Sequence, residues 1–184
     1  MSKAAERGLN RDSDGPAAAR LPDVDANAFR AALGNLATAV SVLATDGPAG
    51  RAGMTCSAVC AISPTPPTIL ACVHSQSAAH AAIKANGVLA VSILGAKQSA
   101  LSQLFAGVGN VPMEDRFASE SWCTLATGAP CYREALGAID AVVIAAHDVG
   151  THSVFVARVV AVADSTTFEP LIHHRRAYAT THPV

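Results

Sequence analysis

Four hydroxyl side chains stand where they could hold a phosphate. Thr55 and Ser57 lie two apart within "GMTCSAVCAISPTPP" (53–67), a spacing that sends both to one face of a strand. Ser75 and Ser77 precede the helix-prone run "SAAHAAIKAN" (77–86), whose first backbone amides favour an anion. Together these groups could bind a phosphate without lysine, which suits a chain with few lysines. A plainer reading stays open: the polar side of an amphipathic strand and an N-cap also call for Thr and Ser at these places.

Other reactive side chains carry less. The seven histidines include the pair His173–His174, but neighbours on a strand face opposite ways and would not ligate one ion, so no metal site is expected. The five cysteines contain no C-x-x-C pair and are odd in number, which argues against a zinc site and a disulfide framework and for small buried thiols. Cys56 and Cys60, four apart, are expected on one strand face. Nucleotide P-loops, zincin helices, serine-hydrolase elbows and dinucleotide glycine fingerprints are all missing.

The elements that must position these groups read as follows. Phe29, Leu33 and Leu36 at helical spacing after Asp25 predict a helix of about three turns ending near Gly34. Residues 38–45 and 51–63 predict a hairpin around "DGPAG", followed by a strand at 68–74, a helix at 77–86 stopped by Gly87, a strand at 88–94 and a helix at 97–106. Residues 107–121 form a long loop, 135–148 and 152–164 two long strands, and 170–178 a last extended piece. Six or seven strands joined mostly by hairpins, with three helices, fit a mainly β antiparallel barrel with peripheral helices better than a doubly wound sheet.

A hydrophobic content of 51% can fill a substantial core, and a net charge of -1 with 15% charged residues provides no basic stripe for nucleic acid. No apolar run approaches the roughly 20 residues needed to cross a bilayer. Residues 1–24 have neither periodicity nor an apolar signal core and are expected to be a disordered tail, leaving one domain over 25–184 in a cytoplasmic protein.

Seven segments in register carry a family resemblance: "FRAALGNLATAVSVLAT" (29–45), "GMTCSAVCAISPTPPTILACVHSQS" (53–77), "GVLAVSILGAKQSALSQLFA" (87–106), "DRF" (115–117), "GAPCYREALGAIDAVV" (128–143), "GTHSVFVARV" (150–159) and "PLIHHRRAY" (170–178). From about Asp25 to Tyr178 the chain resembles the short-chain flavin reductases, the reductase components of two-component flavin-dependent monooxygenases such as that acting on 4-hydroxyphenylacetate. The resemblance implies a six-stranded FMN-binding split barrel, working as a homodimer that passes reduced FMN or FAD to an oxygenase, with NADH or NADPH as hydride donor. It places Thr55, Cys56, Ser57, Ala58 and Val59, with Ala61 and Ile62 behind them, on the flavin segment, and Gln76, Ser77 and Ala78 on the phosphate side. It makes His152 the catalytic-site histidine, and His173, His174, Arg175 and Arg176 the segment that receives the nicotinamide dinucleotide. Ala58, Val59 and Ala78 replace the family's Ser, aromatic and polar or basic residues. Thr151 replaces Asp, His173 and His174 replace aromatics, and Arg158 replaces Gly. An alternative is a non-catalytic flavin-binding or partner-binding barrel in which Arg158 and the altered C-terminal segment have closed the nicotinamide site.

Overall fold

At Ser57 and Ala58 the backbone leaves the extended ladder for two residues, and this break organises the fold. The computed structural model describes residues 21–165 and 169–182; residues 1–20 of the expected tail lie outside the described residues. The elements in order are α1 (Ala26–Leu33), β1 (Thr38–Ala39), β2 (Ser41–Thr45), β3 (Ala52–Cys56), β4 (Val59–Pro64), β5 (Pro67–His74), α2 (Ala78–Asn86) and β6 (Val88–Ile93). There follow α3 (Ser99–Phe105), α4 (Met113–Arg116), β7 (Trp122–Thr124), β8 (Pro130–Tyr132), β9 (Gly137–Val149), β10 (His152–Asp164), β11 (Ile172–His174) and β12 (Ala177–Ala179).

The main sheet has seven strands in the order β3-β2-β6-β9-β10-β5-β4, every neighbouring pair antiparallel. Its two edge strands, β3 and β4, are consecutive in the chain. A link of two residues spans at most about 11 Å between Cys56 and Val59, so the sheet curls until its edges meet there without pairing, which is a split barrel. The single strand expected over 51–63 is therefore two strands on opposite edges. Cys56 and Cys60 do not share a face, and Ser57 lies beyond the strand that carries Thr55. The six strands expected become seven, with a small sheet β1-β11-β12 and the hairpin β7-β8 beside them.

Asp25 caps α1 by accepting the Asn27 and Ala28 N–H groups, as its position suggests. The helix is eight residues, nearer two turns than three, and Phe29, Leu33 and Leu36 are exposed instead of packed. The strand expected over 38–45 is interrupted at Val40, whose N–H donates to Leu171 and whose carbonyl accepts from Leu94, so that β1 can turn aside to pair with β11.

β2 is buried along its whole length because it is covered on both faces. Leu43 joins Ile83, Leu89 and Phe155 in the larger core, while Val42 and Ala44 meet Leu94, Phe105 and Phe117. Gly53 shows how closely β3 approaches that second cluster. A Cβ there would stand 2.8 Å from Phe105, 2.9 Å from Phe117 and 3.0 Å from the Leu43 carbonyl. Two interlocked aromatic rings and a backbone oxygen cannot all retreat, so Gly53→Ala is expected to lower stability by about 1–3 kcal/mol, measured by urea unfolding.

Candidate functional site

β3, the start of α2, the end of α3 and α4 enclose a cleft of about 460 Å³. Thr55, Ser77, Ala78, Gly107 and Arg116 line it, with Phe105 at its wall. The site is built by caps and turns. Ser77 is the N-cap of α2, its hydroxyl oxygen accepting the Ala79 N–H at 3.2 Å. Its own proton points to the Met54 sulfur at 3.3 Å, a weak acceptor from which a charged oxygen would take it readily. The Ala78 N–H is the remaining first-turn donor. Arg116 is anchored through Nε to the Val111 carbonyl at 2.9 Å, which commits one of its five N–H donors. Thr55 donates to the Ser102 carbonyl at 2.5 Å and can only accept from whatever enters.

The four hydroxyls grouped by spacing thus separate. Thr55 and Ser77 meet at the cleft, but Ser57 is exposed past the end of β3, and Ser75 spends both its N–H and its hydroxyl on the Thr151 carbonyl. Cys56 faces the core, where burial pushes its thiol above the usual range, so its side chain offers a ligand nothing. Ala58 lies in the break and Val59, Ala61 and Ile62 follow it on β4, and none of them lines the cleft. Gln76 is exposed in the turn before α2, its N–H held by His74 Nδ1 at 3.2 Å.

His152 opens β10, exposed, with its Nδ1 2.9 Å from the Thr151 hydroxyl and its ring edge-on to His74 at 5.0 Å. It does not line the cleft, but the bonds from Ser75 to Thr151 tie its turn to the residues leading into α2. A second tie runs through His80, whose Nε2 lies 2.7 Å from Ser153 Oγ, while Ser153 donates to Asp148 at 2.5 Å. That serine gives its proton to a carboxylate and not to the histidine, so the trio is a brace and not a nucleophile. The Ser153 hydroxyl, and then Lys84, hold the Asp148 carboxyl below its ordinary range.

His173, His174, Arg175 and Arg176 form a hairpin, β11-β12, closed by the two arginines. Both have positive φ, 49° and 64°, where Asn-Gly would be at ease. Arg175 is tied down by its N–H to the Gly34 carbonyl and by Nε to Asn35. The hairpin reaches the cleft through Tyr178, whose hydroxyl is 2.8 Å from Ser102 Oγ, the residue whose carbonyl takes the Thr55 proton. Arg158 stands elsewhere. It is paired with Thr68, six residues along β10 from His152, or about 20 Å. At that range Arg158 does not itself close a site at His152.

Residues 33–182 match the family model described as "Flavin reductase like domain". The chain belongs to this flavin reductase family. Among its relatives is a protein of Methylorubrum extorquens named FMN reductase (NADH) RutF 1, 44% identical over 85% of this chain and 77% of that one. Another, named FMN reductase (NADH) RutF, of Bradyrhizobium diazoefficiens, is 42% identical over 88% of each chain. Among solved structures it is similar to BorF, the flavin reductase component of a bacterial two-component tryptophan halogenase, with TM-score 0.79 and 30% identity over 85% of this chain and 98% of that one. The styrene monooxygenase flavin reductase of Pseudomonas putida S12 superposes with TM-score 0.74 and 27% identity, over 85% and 98%.

For a flavin reductase, the donor set of the cleft suits the phosphate end of the cofactor: a helix N-terminus, a redirectable serine and an arginine, with no carboxylate among the described residues that line it. Arg116 is not among the residues that the sequence singles out, although "DRF" is part of the resemblance. Its place is hidden there because α4 falls in a segment without periodicity. Ser102 and Tyr178 escape sequence reasoning too, since nothing in a sequence pairs residues 76 apart.

Proposed function

We propose that this protein is an NADH-dependent flavin reductase that binds FMN, catalyses its reduction and delivers the product to an oxygenase. The observation that carries the reading is the cleft where Ser77, the α2 N-terminus and Arg116 converge. When bound, flavin supplies a ring that accepts hydride from the nicotinamide, so the protein needs to align two flat ligands more than to donate a proton. Thr55 and the backbone around it flank the flavin, and Ser77, Ala78 and Arg116 hold its phosphate. His152 orients the nicotinamide from the far side of the Ser75–Thr151 contact. The exposed arginines of the β11-β12 turn receive the dinucleotide phosphates.

The test is NADH oxidation under anaerobic conditions with and without added FMN. The expected result is a rate that depends on flavin at micromolar levels and flavin bleached in step with NADH consumed; NADH loss indifferent to flavin sinks the proposal.

The arginine turn carries its own expectation. Placing an L-residue in left-handed conformation costs about 1–2 kcal/mol, so Arg176→Gly should raise the melting temperature while raising the KM for NADH about fivefold, roughly 1 kcal/mol of exposed ion pairing. Steady-state kinetics and thermal unfolding on one preparation check both signs.

A homodimer in a cytoplasmic setting completes the reading. Ile144, Val149 and Val162 are exposed along β9 and β10, at 57%, 55% and 68%, apolar side chains on the long hairpin that a second subunit would cover. Sedimentation should give twice the chain mass of 18.7 kDa, and Ile144→Asp should shift the protein toward monomer.

A further inference from the structure

The β7-β8 hairpin places two cysteines directly opposite each other, Cys123 against Cys131. The Arg133 N–H donates to the Ser121 carbonyl at 2.7 Å two pairs further out, beyond Trp122 and Tyr132. Alternation along an antiparallel ladder then puts the Cys123 and Cys131 Cα atoms about 5.5 Å apart, inside the roughly 4.4–6.8 Å that a disulfide spans. Paired residues share a face, and the Cys123 sulfur already lies 3.5 Å from the Cys131 carbonyl oxygen. Both residues line a cavity of about 300 Å³ with Arg133 and Asp164, wide enough to admit a small oxidant.

We propose that Cys123 and Cys131 are a modification site, a dithiol that hydroperoxides convert to a reversible cross-strand disulfide. The two thiols have unequal parts. Cys123 is half-buried and meets the cavity, whereas Cys131 is buried, its thiol pushed up to about 12 by burial and then by the Asp140 carboxylate. Cys123 is therefore oxidised first: its sulfur displaces water from hydrogen peroxide and becomes a sulfenic acid. The Cys131 sulfur then attacks it, forming the S–S bond, and the sulfenic oxygen leaves as a second water carrying the Cys131 proton. Two thiols lose two electrons, and one peroxide becomes two waters. A reductase of the kind proposed above makes this oxidant whenever its reduced flavin meets dioxygen; that source rests on the functional reading, and the oxidation itself does not.

Trp122, the single tryptophan, is beside Cys123 and packs on Phe105 and Phe117, so the hairpin reports its own state by fluorescence. The reduced full-length protein is treated with equimolar hydrogen peroxide, then the free thiols are counted and the peptides mapped. The expected result is a fall from five free thiols to three, one cross-linked peptide joining residues 123 and 131, quenched Trp122 emission, and full reversal by dithiothreitol. Cys60→Ser, which removes the exposed thiol, is expected to leave all of this intact, and Cys123→Ser to abolish it. A cross-link of Cys56 to Cys72, oxidation confined to Cys60, or the same thiol loss in Cys123→Ser overturns the proposal.

Discussion

Arg116→Gln is expected to raise the FMN concentration giving half-maximal rate by about ten- to a hundredfold, the loss of one charge-assisted contact of roughly 1.5–3 kcal/mol. Among the described residues, Arg116 is the one cation lining the cleft that holds Ser77 and the first turn of α2. The helix end and the serine supply partial charge and hydrogen bonds, but only the guanidinium brings a full positive charge to a phosphate dianion. Because the loss falls on a part of the flavin remote from hydride transfer, it belongs in KM, and kcat at saturating FMN should change far less. Riboflavin, which lacks the phosphate, should lose little in the variant. Arg116 also steadies its own loop through Val111, so a general disturbance must be separated from a lost contact. Arg116→Lys restores the charge without the Nε bond and should recover most of the affinity. Equal KM for FMN in wild type and Arg116→Gln, or an equal penalty for riboflavin, would mean that Arg116 does not hold the phosphate.

How far this site can be read in the sequence depends on the range over which each signal acts. Asp25 and Ser77 are legible because a cap is a matter of two or three neighbouring residues, and both bond as their positions require. β9 and β10 are legible because two long strand-forming runs joined only by a short turn at Gly150 pair as a hairpin. The break at Ser57–Ala58 is not, since no Gly or Pro marks it and strand-forming residues stand on both sides. Only the closing of the barrel decides that Cys56 ends one edge and Val59 starts the other. For the same reason Thr55 and Ser57, equivalent by spacing, have different fates. The β11-β12 hairpin reads as a plain extended piece because Arg-Arg is not a turn sequence. Of its two residues with positive φ, Arg175 is held by contacts to Gly34 and Asn35, about 140 residues away in the chain. The family resemblance works by register with relatives, and of the residues it names, Thr55, Ser77 and Ala78 line this cleft while Val59, Ala61 and Ile62 lie on β4 outside it.

Stability turns on Asp140 more than on any residue of the cleft. It sits in the middle of β9 with no exposure at all, and both of its oxygens accept from Thr127, one from the N–H at 2.7 Å and one from the hydroxyl at 2.5 Å. Thr127 in turn accepts the Ala129 N–H, so the carboxylate fixes the turn that delivers buried Ala129 and Cys131 to β6, where the Tyr132 N–H meets Ser92. Asp140→Ala would remove a buried charge, which alone could be favourable. It also strands two donors that water cannot reach without opening the turn, at about 1–3 kcal/mol each. The second effect is the larger, because Asp140 is an acceptor shared by two donors and has no ion-pair partner among the described residues. The expected net loss is about 2–5 kcal/mol, a drop in melting temperature of roughly 5–15 °C for a chain of this length. Asp140→Asn keeps one acceptor oxygen and turns the other into a donor facing a donor, so it should recover little. Thr127→Val, which removes one donor while leaving the carboxylate buried with one bond fewer, should destabilise as well. An Asp140→Ala protein that melts within about 2 °C of wild type, at most about 1 kcal/mol, would show that the turn is held by packing alone.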